Sequence, residues 1–229
     1  MTSNKFLSKG VVNVVEDDEN LSQTISKYLL SKGFEVECFE TAEAFGEYLD
    51  SSEQFNPNIN YKRQPGVVLL DVRLKGMSGT SFFYSLKEER PHFFWPVCFM
   101  TGHGDIGMAV ETMRHGAFDF ITKPFDPDTL LGIIDRASNK SKSFIKTFEF
   151  IANYTARLAK LTDKEMEVMQ CIVRGKTNKE ISDMLNNSTR TIELHRSRIF
   201  DKMSVNSATE LATLSERYTN QKNGGGQLI

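Results

Sequence analysis

Five short runs of apolar, β-favouring residues, each followed by a segment patterned for helix, constrain this chain more than any other feature. They cover residues 10–15, 34–39, 66–70, 96–100 and 117–121, and the first, third and fourth are almost continuously hydrophobic, as in strands buried on both faces. Helices are expected near 20–32, 41–50, 79–90 and 105–115, with a fifth opening near Pro127. Leu21, Ile25, Tyr28 and Leu29 share one face of the first, and Thr41 is placed to cap the second. Such alternation builds a parallel sheet covered by helices. Ligands then bind in the crevice beyond the carboxyl ends of the strands. Glu16, Asp17, Asp71, Thr101, Phe120 and Lys123 fall at those ends. Acids, one hydroxyl and one lysine at a single edge suit a divalent cation and a phosphoryl group.

A length of 229 residues admits one large domain or two small ones. The net charge of −2 is unevenly divided: residues 1–138 hold 13 Lys+Arg against 20 Asp+Glu, and residues 139–229 hold 15 against 10. An acidic half for cations and a basic half for an anionic partner follow from that division. The boundaries read as an α/β domain at 10–138, a lysine-rich but helix-patterned linker at 139–160, an α-helical domain at 161–218 and a disordered tail at 219–229. Residues 51–66, with Pro57, Pro65 and three asparagines, read as a long surface loop. Three scattered cysteines form no pairing or metal pattern, and the opening residues are too polar for a signal peptide. No apolar run approaches the roughly 20 residues needed to cross a bilayer. A soluble, cytoplasmic protein without a membrane partner is expected.

The segments Val-Val-Glu-Asp-Asp at 14–18, Leu-Leu-Asp-Val-Arg-Leu at 69–74, Gly-Met-Ser-Gly at 76–79, Met-Thr-Gly-His-Gly-Asp at 100–105 and Asp-Phe-Ile-Thr-Lys-Pro-Phe at 119–125 carry a specific resemblance. Residues 10–138 resemble the receiver domain of bacterial two-component response regulators. The resemblance implies a flavodoxin-like fold with strand order 2-1-3-4-5 and phosphorylation of Asp71 by a sensor histidine kinase. It also implies Mg2+ held by Asp17, Asp71 and the Arg73 carbonyl, with Glu16 acting through water. Lys123 would neutralise phosphoryl oxygens, and its bond to Pro124 would be cis. Thr101 would move towards the phosphoryl group and let Phe120 rotate inward. The chemistry is consistent, since a carboxylate can form an aspartyl phosphate and Mg2+ prefers oxygen ligands. Lys75 departs from the family pattern, where proline is common, and is expected to leave the site chemistry untouched.

Thr162 and Glu165 are spaced for a capping box, followed by Val168, Met169, Ile172 and Val173 on one face and by Gly175. A short helix opens at Asn178, a polar turn covers 186–188, and a third helix is predicted over 189–203. At about 100° per residue, Ile192, His195, Ile199 and Met203 share the buried face of that helix, with His195 packed and hydrogen-bonded. Arg190, Glu193, Leu194 and Ser197 lie opposite, flanked by Arg196 and Lys202. A buried stripe opposed by polar and cationic residues fits a recognition helix in a DNA major groove. This segment resembles the LuxR-type helix-turn-helix, and the whole chain the FixJ/NarL class of response regulators, nearest its FixJ branch. By position, Glu193, Leu194 and Ser197 would face bases of double-stranded promoter DNA. Thr177, Lys179, Thr191, Arg196 and Lys202 would face phosphates. A four-helix domain is implied, whose last helix, through Leu211 and Leu214, dimerises. Asn187 stands where an apolar residue is usual and is expected to loosen the turn.

The expected protein is therefore a phosphorylation-controlled transcription factor, not an enzyme, which pairs into a homodimer on activation through the receiver face at 105–125. Gly175-Lys176-Thr177 mimics the end of a nucleotide-binding loop, but Gln170 stands where that motif needs glycine. A haloacid-dehalogenase-like phosphohydrolase would carry a second aspartate where Arg73 stands. A phospho-relay adaptor without DNA binding would lack a salt-dependent DNA complex.

Overall fold

The computed structural model describes residues 8–51, 64–90, 93–102 and 106–224. Most of the expected 51–66 loop and the motif residues 103–105 lie outside them. The chain divides into two compact units, Met1–Ile145 and Lys146–Leu228.

The first unit alternates strand and helix throughout: β1 (Val11–Val15), α1 (Glu19–Ser31), β2 (Glu35–Phe39), α2 (Ala42–Ser51), β3 (Gly66–Asp71), α3 (Gly79–Glu89), β4 (Val97–Thr101), α4 (Ile106–Arg114), β5 (Asp119–Thr122) and α5 (Pro127–Leu158). The strands pair in parallel in the order β2-β1-β3-β4-β5, the flavodoxin-like order that the resemblance implies. The apolar character of β1, β3 and β4 has its reason here, because every residue in them is buried. Side chains alternate across the sheet. Val11, Val15, Val68, Leu70 and Phe99 pack on Phe45, Leu49, Phe82 and Phe83 of α2 and α3. Val12, Val14, Leu69, Cys98 and Met100 pack on Ile25 and Leu29 of α1 and on Leu130 and Ile134 of α5. Each fully buried side chain of this size stabilises the fold by about 1.5–3 kcal/mol relative to exposure.

The second unit holds the end of α5, α6 (Asp163–Val173), α7 (Asn178–Leu185), α8 (Thr189–Met203) and α9 (Ala208–Gly224). Its core gathers Val168, Ile172, Ile181, Ile192, Ile199, Met203 and Leu211. Residues 146–158 do more than connect. Tyr154 of α5 is buried, its hydroxyl lies 2.7 Å from Ser215 Oγ, and its ring stacks on Tyr218 at 4.5 Å. Those contacts also correct the expected start of a disordered tail at Thr219. Anchored by Tyr218, and with no breaker before Gly224, α9 continues through Gly224. Among the described residues no helix is long and apolar enough to cross a membrane.

Candidate functional site

Strand register assembles the acidic site. Val15 pairs with Leu70, so the next residues, Glu16 and Asp71, lie side by side. Asp71 pairs with Met100, which places Thr101 one step further, and Thr101 pairs with Thr122, which delivers Lys123. Close approach of α3 depends on Gly79, because a Cβ there would run into the Asp71 carbonyl. The loop before it is tied down by the Gly79 N–H donating to Val72 O at 3.1 Å and by the Ser78 cap of α3.

Carboxylate oxygens of Glu16, Asp17 and Asp71 lie within 4.8 Å of one another, with Glu16 and Asp71 buried. Lys123 Nζ bridges two of them, 2.6 Å from Glu16 Oε2 and 2.7 Å from Asp71 Oδ2. Burial alone would lower the Lys123 pKa, but hydrogen bonds to Asp71 and Glu16 outweigh it and raise the pKa overall. Burial raises the Glu16 pKa and repulsion from Asp71 adds to it, against the lowering influence of Lys123. Backbone N–H groups complete the acids' bonding: Arg73 donates to Asp71 Oδ1 at 3.2 Å and Asp18 to Glu16 Oε1 at 3.3 Å. Thr101 is fully buried and its Oγ1 has no hydrogen-bond partner. Phe120 is half-buried against the α2/α3 core and pairs with Phe99. The Lys123–Pro124 peptide bond is cis.

A compact set of hard oxygen donors, in which the one buried-site ammonium, Lys123, pairs with Glu16 and Asp71 but not with Asp17, fits a divalent cation. The unpartnered Thr101 hydroxyl fits an additional oxygen-rich group arriving at the same strand ends. Lys75, expected to leave the site chemistry untouched, reaches the edge of the site: its Nζ lies 3.8 Å from Asp17 Oδ2 and 3.7 Å from Glu40 Oε1. The side chain is long enough to reach sideways from the β3–α3 loop to the end of β1, a reach that residue spacing does not reveal.

In the second unit α7 and α8 are joined by a three-residue turn whose Asn186 adopts φ 52°. Thr177 caps α7 in a reciprocal capping box with Glu180, and Ser188 caps α8. On α8, Ile192, Ile199 and Met203 are buried, whereas Arg190, Glu193, Leu194 and Ser197 are exposed. Leu194, a large apolar side chain, is 51% exposed. Lys179 is exposed, Thr191 is half-buried with its hydroxyl 2.8 Å from Ser188 Oγ, and half-buried Arg196 lies over the Phe200 ring.

Four expectations for this unit need correction. Lys202 is not directed solely outward, since its Nζ lies 2.6 Å from Glu165 Oε2 and Glu165 is buried. Leu211 is fully buried in the unit's own core and cannot lie on a dimer surface, while Leu214 is half-buried against the same core. Periodicity finds apolar faces but does not say what covers them. His195 is half-buried as expected, yet its Nδ1 is buried without a hydrogen-bond partner. Asn187 does not loosen the turn. Its Nδ2 donates to Leu185 O at 3.0 Å, its N–H to Ser182 O at 3.1 Å, and its carbonyl accepts the Ser182 hydroxyl.

Residues 12–135 match the response regulator receiver domain, and residues 159–215 match the luxR family of bacterial regulatory proteins. The transcriptional regulatory protein FixJ of Bradyrhizobium diazoefficiens is 35% identical over 210 residues, 92% of this chain and 96% of its own. The tetrathionate response regulatory protein TtrR of Salmonella typhimurium is 32% identical, covering 90% and 92% respectively. Among solved structures, the response regulator StyR superposes with a TM-score of 0.78 at 33% identity, over 91% of this chain and 98% of that one. Full-length FixJ from B. japonicum gives a TM-score of 0.54 at 34% identity, over 93% and 98%.

Proposed function

Since the chain belongs to the response regulators that join a receiver domain to a LuxR-type DNA-binding domain, we propose that Asp71 is the residue through which phosphorylation controls it. The protein is a phosphorylation-controlled transcription regulator, and its architecture implies a sensor kinase and DNA as partners. The observation that carries the assignment is the placement of Lys123 Nζ, 2.7 Å from Asp71 and 2.6 Å from Glu16, at the end of the central strand.

An Asp71 carboxylate oxygen attacks phosphorus, the bond from phosphorus to the donor's imidazole nitrogen breaks, and its electron pair returns to the imidazole. Lys123 is placed to balance the charge that Asp71 gains, and the Thr101 hydroxyl to donate to a phosphoryl oxygen. Glu16, Asp17, Asp71 and the Arg73 carbonyl would hold Mg2+. That ion would neutralise phosphoryl oxygens during transfer. Movement of Thr101 towards the phosphoryl group would vacate space into which Phe120 rotates, changing the face formed by α4 and β5. Exposed Met108, Val110 and Met113 on α4 support that face as the homodimer contact. On DNA, Glu193, Leu194 and Ser197 read base edges, and Thr177, Lys179, Arg190, Thr191 and Arg196 hold phosphates.

Incubation with acetyl phosphate and Mg2+ should add one phosphoryl group by intact mass, and Asp71→Asn should add none. Equal labelling of the variant refutes the assignment. Sedimentation with beryllium fluoride, a phosphoryl mimic, should show a dimer that Met113→Glu prevents.

A further inference from the structure

Lys75 is shared between two carboxylates, 3.8 Å from Asp17 and 3.7 Å from Glu40, with 67% of its side chain exposed. Asp17 is only 23% exposed and belongs to the three-acid cluster, whereas Glu40 is 74% exposed and lies outside it. All three side chains line one cleft of about 600 Å3 that also reaches Glu16. Lys123 is held on both sides by buried acids, but Lys75 has no buried anchor and can exchange partners.

We propose that Lys75 is a competing cation that sets the divalent-metal requirement of the acidic site. Resting against Asp17, it neutralises the one cluster acid that Lys123 does not touch. A divalent ion arriving at Asp17 meets a like charge and must drive the ammonium towards Glu40. Glu40 is then the alternative seat, and removing it leaves Lys75 more firmly on Asp17. Lys75 is thus a positioning residue that acts through Asp17 and does not itself contact phosphorus. This inference rests on the acidic cluster being the metal site.

The test is calorimetric titration of Mg2+, with Mn2+ as a second probe, into the full chain. Lys75→Met should tighten the dissociation constant about three- to tenfold, the size expected for a partly screened unit charge close to a divalent ion. Glu40→Gln should weaken it about twofold, and that weakening should largely vanish in the Lys75→Met background. The Mg2+ concentration giving half-maximal labelling by acetyl phosphate should fall in step with the dissociation constant of Lys75→Met. An unchanged or weaker dissociation constant in Lys75→Met overturns the proposal, as does a Glu40→Gln effect of the same size in both backgrounds. Asp17→Asn separates this from an error in the site itself. If that variant binds Mg2+ normally, the metal site is elsewhere and both readings fall; if it loses binding while Lys75→Met has no effect, only the competing-cation role falls.

Discussion

The Lys202 ammonium lies 2.6 Å from a carboxylate oxygen of Glu165, fastening the last turn of α8 to the first turn of α6. The same Glu165 oxygen accepts the Thr162 N–H at 2.8 Å, so one carboxylate serves as both helix cap and interhelical brace. Lys202 and then the Thr162 N–H hold the Glu165 pKa down, to about 2. A carboxylate whose pKa is depressed on folding adds stability that is complete above its unfolded value of 4.5 and is lost as pH falls towards the folded value. The second unit should therefore melt progressively earlier as pH drops below about 4.5. Trp95, the single tryptophan, belongs to the first unit and reports it by fluorescence, while circular dichroism follows the helices of both. Glu165→Gln should cost roughly 1–3 kcal/mol and flatten the acid limb of the dichroism transition alone. A variant with the parent's acid limb would show that the brace contributes nothing.

Reading and holding DNA should separate on α8. Arg196→Ala should weaken all sites alike and reduce the slope of log affinity against log salt by about one. Glu193→Ala should instead shift preference at one base pair by roughly 1–3 kcal/mol. Lys202→Met should leave the salt slope near that of the parent, because Glu165 already matches its charge. Titrations on matched and mismatched duplexes at several salt concentrations decide among these outcomes. A change of base preference in Arg196→Ala but not in Glu193→Ala would mean that α8 is turned differently in the groove.

Thr101→Val keeps the shape of the side chain while removing a buried hydroxyl that bonds to nothing in the resting protein. Its melting temperature should equal or slightly exceed that of the parent, since an unsatisfied buried polar group costs about 1–3 kcal/mol. Labelling of Asp71 should persist, but beryllium fluoride should no longer drive dimer formation. A loss of resting stability together with normal dimerisation would make Thr101 a packing residue only.

Saturating Mg2+ should stabilise the first unit by about 2.7 kcal/mol when present at one hundred times its dissociation constant. The Trp95 transition should rise accordingly, and chelation should reverse it. Asp17→Asn should remove the metal-dependent rise, and a rise of equal size in that variant would place the ion at another site.

Strands β1, β3 and β4 were legible because a doubly covered parallel sheet demands runs such as Val67–Leu70, and the site was legible because its residues lie at or just beyond the ends of strands. Long side chains that meet across the fold were not. Glu165 and Lys202 are far apart in sequence, and only the crossing of α6 over α8 brings them together. Taken alone, each has a sufficient local role, cap for Glu165 and phosphate contact for Lys202. Leu211 shows the opposite failure: its helical face was visible, but an apolar face turned to its own core and one awaiting a second copy look alike before packing is known. At Asn187 a polar residue in an apolar position proved able to satisfy the turn through its own side chain.

The boundary between the two units falls inside α5, a stretch without glycine or proline from residue 139 to 160, and not in a loop. Proteases act on chain that can be drawn out and threaded, so this junction should resist nicking while exposed loop tips are cut first. Genetic dissection meets the same obstacle. A fragment beginning at Leu161 would discard Tyr154 and leave the Tyr218 ring and the Ser215 hydroxyl without their neighbour, so its melting behaviour would describe a damaged core and not the DNA-binding half as it exists in the whole protein.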